Sequence, residues 1–118
     1  MTQTIQVVAI GGTTRPNSSS EKALRIAAQA AKDAGAQVSF ITGTDLLMPI
    51  YDTQCTDRAV ESVHLIEQIR NADGVLISSP GYHGGMSGLI KNAIDYLEDL
   101  SGDRRPYLDG RAVGCVAV

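Results

Sequence analysis

Four short runs of this chain, Ile5–Ile10, Gln37–Ile41, Gly74–Ser79 and Arg111–Val118, are rich in β-branched and apolar residues. A strand with one face in water alternates apolar and polar residues, whereas a strand covered on both faces is apolar almost throughout. Helical patterns separate the runs. Glu21–Ala34 puts Leu24, Ala27, Ala28 and Ala31 on one helical face, and Gly35 follows where a helix-ending glycine belongs. Asp57 through Asn71 reads as a second helix, capped by Asp57, with apolar positions Val60, Val63, Leu65, Ile66 and Ile69. Gly85–Leu100 reads as a third. The order β-α-β-α-β-α-β, with right-handed crossovers, restricts the fold to an α/β, doubly wound parallel sheet.

Composition narrows the functions open to such a fold. A chain of 118 residues fits one domain. A formal net charge of −3, with Arg104-Arg105 too short to be a basic patch, argues against a nucleic-acid partner. Two cysteines, Cys55 in a polar loop and Cys115 in the last strand, make neither a disulfide framework nor a metal or redox motif. Cys115 reads as a small buried hydrophobe. No segment is long and apolar enough to span a bilayer, and no basic stretch precedes an apolar one at the N-terminus. The reading is a protein of the reducing cytoplasm with no membrane partner and no metal.

Two loops carry the chemistry. Gly11-Gly12-Thr13-Thr14-Arg15-Pro16-Asn17-Ser18-Ser19-Ser20 lies between the first strand and the first helix, at the carboxyl end of a strand, where open α/β sheets bind ligands. Its hydroxyls, the cation Arg15 and the following helix N-terminus suit a phosphate. Ser18-Ser19-Ser20-Glu21 also fits a capping box, so Ser18 has two readings, phosphate ligand or helix cap. There is no GxxxxGK[ST] and no GxGxxG after the first strand, which excludes the nucleoside-triphosphate loop and the dinucleotide fingerprint. The second loop, Ser78-Ser79-Pro80-Gly81-Tyr82-His83-Gly84-Gly85, joins glycines to one aromatic. Such a loop lets a flat ligand lie against the main chain.

These motifs resemble those of the NADPH-dependent FMN reductase family, a flavodoxin-like group of flavin, quinone, azo-dye and chromate reductases. Gly12-Thr13-Thr14-Arg15-Pro16-Asn17-Ser18-Ser19-Ser20 is similar to its first-loop motif G-S-x-R-x-x-S-x-N/T, with Thr13 in place of serine and Ser20 in place of Asn or Thr. Pro80-Gly81-Tyr82-His83-Gly84 and Gly88-Leu89-Ile90-Lys91-Asn92 resemble P-x-Y-N/H-G and G-x-x-K-N, and Leu47-Met48-Pro49-Ile50-Tyr51 resembles the loop after the second strand. The resemblance implies a flavodoxin-like sheet of order 2-1-3-4 and an FMN-binding domain over residues 1–118. The family's fifth strand, and the flavin-contacting loop after strand four, are not found in this sequence, so the domain reads as incomplete at its C-terminus.

By resemblance, Thr13, Arg15, Ser18 and Ser20 hold the FMN phosphate, and Pro80, Gly81, Tyr82, His83 and Gly84 flank the isoalloxazine ring. No catalytic side chain is then needed, because the flavin carries the hydride chemistry from NADPH or NADH to a small-molecule acceptor. His83 as a general acid is the lesser alternative to a backbone contact. The apolar residues Leu89, Ile90, Ala93, Ile94, Tyr96, Leu97 and Leu100 spread over more than one face of the third helix. Either they form a broad core contact or they make Gly85–Leu100 the interface of a homodimer or homotetramer, as the resemblance implies. The other functions open to the chain are a quinone, azo-dye or chromate reductase holding FMN tightly, a flavodoxin-like electron carrier, and a non-catalytic assembly module.

Overall fold

A computed structural model of the chain describes residues 3–118. Strands β1 (Gln6–Gly11), β2 (Gln37–Thr42), β3 (Gly74–Ser79) and β6 (Ala112–Ala117) form one parallel sheet in the order β2-β1-β3-β6. This is the 2-1-3-4 order expected for the four sequence runs. Helices α1 (Ser19–Asp33), α2 (Val60–Arg70) and α3 (Gly88–Asp95) make the crossovers. The register places Val8 beside Ser39 on one side and Val75 on the other, and Leu76 beside Gly114.

Side chains alternate along each strand, so the parity of a residue decides which layer it joins. Val8, Ile10, Ile41 and Val75 pack with Leu65, Ile66 and Ile69 of α2 and with Ile90 and Ala93 of α3. Ala9, Val38, Phe40 and Leu76 point the other way, onto Leu24 and Ala28 of α1. Each large apolar side chain buried in these layers stabilises the fold by roughly 1.5–3 kcal/mol. The apolar strand runs therefore have a simple cause: both faces of β1 and β3 are covered.

Helix α1 matches its expected span to within two residues at each end. Helix α2 begins later than the sequence suggests. Asp57 does not cap it; Ala59 stands at the cap with φ −63° and ψ 157°, and no side chain serves there. Arg58, two residues before Val60, makes a bidentate ion pair with Asp99 (2.7 and 3.0 Å).

The third helix differs more. Gly85-Met86 is not helical but pairs antiparallel with Gly81-Tyr82, forming a small hairpin, β4 (Gly81–Tyr82) and β5 (Gly85–Met86). Its two-residue turn, His83-Gly84, has φ +52° and +81°, the positive pair that matches the twist of a hairpin. α3 then starts at Gly88, capped by Ser87 Oγ, which accepts from the N–H of Ile90 at 3.2 Å. After Asp95 the chain tightens into a 3₁₀ turn, Tyr96–Leu100. That tightening rotates its apolar residues inward. Ile90, Ala93, Tyr96, Leu97 and Leu100 are all buried, and Leu89 and Ile94 pack half-buried against the same core. The broad apolar face is a core contact within one chain.

Cys115 is also corrected: it is exposed, not buried. β6 is an edge strand among the described residues, and its outer half carries no covering helix, so Val113 is 43% exposed as well.

The closest backbone approach lies at the ends of β1 and β3. A Cβ built on Gly11 would sit 2.5 Å from the carbonyl oxygen of Ser78 and 3.0 Å from its Cβ. Overpacking of this kind costs about 1–3 kcal/mol. Gly11→Ala should therefore lower the unfolding free energy from a urea titration by that amount, and an unchanged value would show that the two strands can part without cost.

Candidate functional site

The carboxyl ends of β1 and β3 bring the two sequence loops side by side; two hydrogen bonds tie them together and a third fixes the start of α3 beside them. The N–H of Gly12 donates to the carbonyl of Ser78 at 3.2 Å. Ser78 Oγ donates to the carbonyl of Ser20 at 2.8 Å. Ser79 Oγ accepts from the N–H of Ser87 at 2.9 Å, drawing the start of α3 to the same point. Gly12, at φ +87°, turns the chain out of β1, and Asn17, at φ +59°, turns it back into α1. Asparagine tolerates that left-handed region better than most side chains.

Within the first loop, Thr13 Oγ1 accepts from the N–H of Arg15 at 3.0 Å, closing a tight turn. Arg15 is exposed, and among the described residues its guanidinium has no partner. Ser18 caps α1: its Oγ accepts from the N–H of Glu21 at 3.2 Å and lies 3.3 Å from Ser20 Oγ. The cap is only half a capping box, because the carboxylate of Glu21 turns to Arg25. Ser18 and Ser20 are each 2% exposed and lie beneath the loop surface. Among the described residues, the N–H groups of Asn17, Ser18, Ser19 and Ser20 donate to no protein acceptor. Free donors in this array, at a helix start, are what an anion requires.

A cleft of about 290 Å³ runs from this loop to the hairpin, lined by Gly12, Thr13, Thr14, Tyr82, Ser87, Gly88 and Leu89. Of the residues expected from sequence, Thr13 and Tyr82 line it together. Arg15 stands on the exposed part of the first loop, and Pro80, Gly81, His83 and Gly84 belong to the hairpin rather than to the cleft wall. His83 forms the hairpin tip and is exposed. Tyr82 is 54% exposed, which leaves its ring free on one side. Ser87, Gly88 and Leu89 were not expected as wall residues. Their signal is Ser87 directly before a helical pattern, an N-cap that places the first turn of α3 at the cleft.

A third loop reaches the same side of the sheet through α3. Asn92 accepts from the N–H of Tyr51 at 2.8 Å through Oδ1 and donates through Nδ2 to the carbonyl of Pro49 at 3.0 Å. Tyr96 donates its hydroxyl to the same carbonyl at 2.7 Å. Tyr51 and Tyr96 meet edge to face with ring centroids 5.1 Å apart, and Arg58 stands 5.0 Å from the Tyr51 ring. Asp99 joins the group by accepting from both Arg58 and the Tyr51 hydroxyl. The hydrogen bonds from Arg58 hold the Asp99 carboxyl below its ordinary value of 3.8. Burial, with Asp99 alongside, pushes the Tyr51 phenol up.

A carboxyl whose folded value is depressed adds stability that is complete above the unfolded value and is lost as pH falls through the folded one. Acidification from about pH 5 to about pH 3 should therefore lower the urea midpoint of the wild type more steeply than that of Asp99→Asn, the window being set by the ordinary aspartate range. Parallel slopes for the two proteins would remove Asp99 from the acid response.

The site has relatives among known proteins. The chain is 30% identical over 100 residues to an FMN reductase (NADPH) of Pseudomonas aeruginosa, a match that covers 83% of this chain and 54% of the relative. It is 28% identical over 116 residues to a 2-hydroxy-1,4-benzoquinone reductase of a Burkholderia species, covering 92% and 61% of the two chains. The chain thus spans about half to three fifths of these relatives' lengths. The flavoenzyme NAD(P)H:(acceptor) oxidoreductase FerB of Paracoccus denitrificans superposes with a TM-score of 0.76 at 21% identity, over 96% of this chain and 60% of that one, a likeness of fold. The sequence model of the NADPH-dependent FMN reductase family matches residues 5–118, and with the flavodoxin-like order of the sheet this places the chain in that family.

Proposed function

We propose that the chain forms the flavin-binding part of an NAD(P)H-dependent FMN reductase, which passes hydride from NADPH or NADH to FMN and on to a small acceptor. The observation that carries this reading is a pair of neighbouring features at the carboxyl ends of β1 and β3: the unpaired N–H groups of residues 17–20 in the first loop, and the adjoining cleft with a half-exposed tyrosine in its wall. The residues fit FMN in kind. The donors of residues 17–20, the Thr13 hydroxyl and the free cation of Arg15 suit a phosphate, and Tyr82 with Gly88 and Leu89 offers a flat, largely apolar wall for the ring. Ser18 and Ser20 contribute from below, fixing the start of α1 through the cap, while Pro80, Gly81, His83 and Gly84 set the position of Tyr82 through the hairpin.

FMN supplies the hydride and electron chemistry when bound. The protein's part is to bind, orient and leave one side open. The same open side would serve reductant and acceptor in turn, the arrangement that gives ping-pong kinetics. A quinone as the acceptor is a second reading, favoured by the match to the benzoquinone reductase over nearly the whole chain. An electron carrier docking on partner proteins is less favoured, since a net charge of −3 gives little long-range steering. Two free cysteines suit a reducing cytoplasm.

Absorbance of the purified protein titrated with FMN, together with NADPH and NADH oxidation in the same cuvette, tests the reading. Arg15→Ala should weaken FMN binding by roughly tenfold to a hundredfold, the worth of one charged hydrogen bond. Absence of both flavin binding and oxidation in the wild type would sink it.

The assembly inferred with this function is a homodimer or homotetramer. Its support is no longer the buried face of Gly85–Leu100 but Leu47, Ile50, Tyr82 and Met86, four exposed apolar side chains on the segments beside α3. Ile50, 86% exposed, is the most open of them. Sedimentation of Ile50→Lys should shift toward monomer; a species of unchanged size would take Ile50 out of any interface.

A further inference from the structure

At the opposite end of the sheet, four arginines surround a second cleft. Arg70 ends α2, Arg104 and Arg105 lie in the following connection to β6, and Arg111 directly precedes β6; with Asp103 they line a space of about 380 Å³. The strands are parallel and six residues long, so this cleft and the first loop stand about 20 Å apart along the sheet.

The guanidiniums are held here by neutral acceptors. Arg111 donates to the carbonyls of Tyr107 (2.8 Å), Arg70 (2.9 Å) and Arg105 (3.1 Å). Arg105 donates to the carbonyls of Arg70 and Ala72, both at 3.2 Å. Only Arg70 has carboxylate partners, Asp103 at 2.7 Å and Glu67. Among the described residues no carboxylate lies within ion-pair distance of Arg104, Arg105 or Arg111, although Asp109 contributes a negative charge nearby. Arg111 is 8% exposed, and its Nε is buried with no acceptor at all. Buried charges are ordinarily paired, because desolvation penalises the lone ion. Three adjacent cations with no carboxylate in direct contact, Asp103 and Asp109 acting on Arg111 only from beyond ion-pair distance, are an incompletely neutralised arrangement. Burial, and the neighbouring charge of Arg105, accordingly hold the Arg111 guanidinium below its ordinary value.

We propose that this arginine cleft binds a multiply charged oxyanion of the phosphate class. Arginine's planar fork suits such oxygens, and the volume admits either the free anion or the phosphoryl end of a small organic phosphate. The cleft is separate from the cofactor loops, so its occupancy would be independent of flavin.

Arg104 is the residue to change. It is exposed and makes no hydrogen bond or ion pair among the described residues, so its replacement leaves the carbonyl contacts of Arg105 and Arg111 intact. Inorganic phosphate, pyrophosphate and ribose 5-phosphate are titrated into the full chain while backbone amide and arginine Nε–H resonances are followed. The expected result is saturable shifts at Arg70, Arg105 and Arg111, weakened tenfold or more in Arg104→Glu while the melting temperature stays put. Equal affinity for inorganic and ribose phosphate assigns the site to the free anion; tenfold tighter ribose phosphate assigns it to an organic one. Shifts confined to residues 13–20, no saturation in the millimolar range, or an identical titration in Arg104→Glu would overturn the proposal.

Discussion

The structure depends on how closely β1 and β3 approach at their carboxyl ends. Gly11 has no room for a Cβ against Ser78, and Gly12 donates its N–H to the Ser78 carbonyl directly beyond that contact. Ser78 then reaches across with its hydroxyl to the first turn of α1. One residue of β3 therefore sets where the first loop leaves its strand and where the following helix begins. Ser79, its neighbour, does the same for α3 through the N–H of Ser87. Two adjacent serines at the end of one central strand fix two helix N-termini at the same end of the sheet. The geometry of the site follows from strand packing rather than from contacts among the site residues.

Ser18 shows why the two readings of the first loop are compatible. Its side chain accepts from Glu21 and is nearly inaccessible, so in the structure it acts as a cap. A cap satisfies one of the orphan N–H groups of a helix start and leaves the others unmatched. Those of residues 17–20 are the unmatched ones here. The cap holds the first turn of α1, and Asn17, in the left-handed region, turns the chain into it. A structural role for the hydroxyl thus supports the anion-binding character of the loop instead of competing with it.

What was legible in the sequence follows the range of the interactions involved. The central strands were plain because burial on both faces leaves few polar positions, as in Val7-Val8-Ala9-Ile10 and Gly74-Val75-Leu76-Ile77. The hairpin was not. Its turn is His83-Gly84 rather than the familiar Asn-Gly, and its strands are only two residues each, too short for alternation to register. Asp57 looks like a cap locally, yet α2 starts at Val60, and Arg58 just before it pairs with Asp99, a partner 41 residues away. The spread of apolar residues along Leu89–Leu100 exceeds one stripe of a uniform helix and so points to an oligomer interface; in the structure Tyr96, Leu97 and Leu100 of the 3₁₀ turn are buried in the core of one chain. Cys115 failed for the opposite reason: its strand is apolar, but nothing among the described residues covers its outer side. Tyr82 and Thr13 were legible as a pair only through their motifs, since 69 positions separate them and the parallel crossover alone brings them together.

The polarity of a parallel α/β sheet accounts for both ends of the molecule. Every helix crossing back over the sheet presents its N–H groups at the carboxyl ends of the strands and its carbonyls at the amino ends. At the first end, the start of α3 lines the cleft and the unpaired donors at the start of α1 stand in the adjoining loop, and both call for negative charge. At the second, the carbonyls of Arg70 and Ala72 at the finish of α2 call for donors, and Arg105 and Arg111 supply them. A carbonyl, however, accepts a hydrogen bond without neutralising the cation that gives it. Satisfying the C-terminus of α2 with guanidiniums settles its hydrogen bonding and leaves net positive charge beside it. A chain with a net charge of −3 can in this way carry local positive ground at both ends of its sheet, through helix N-termini and a free arginine at one and through carbonyl-bound arginines at the other.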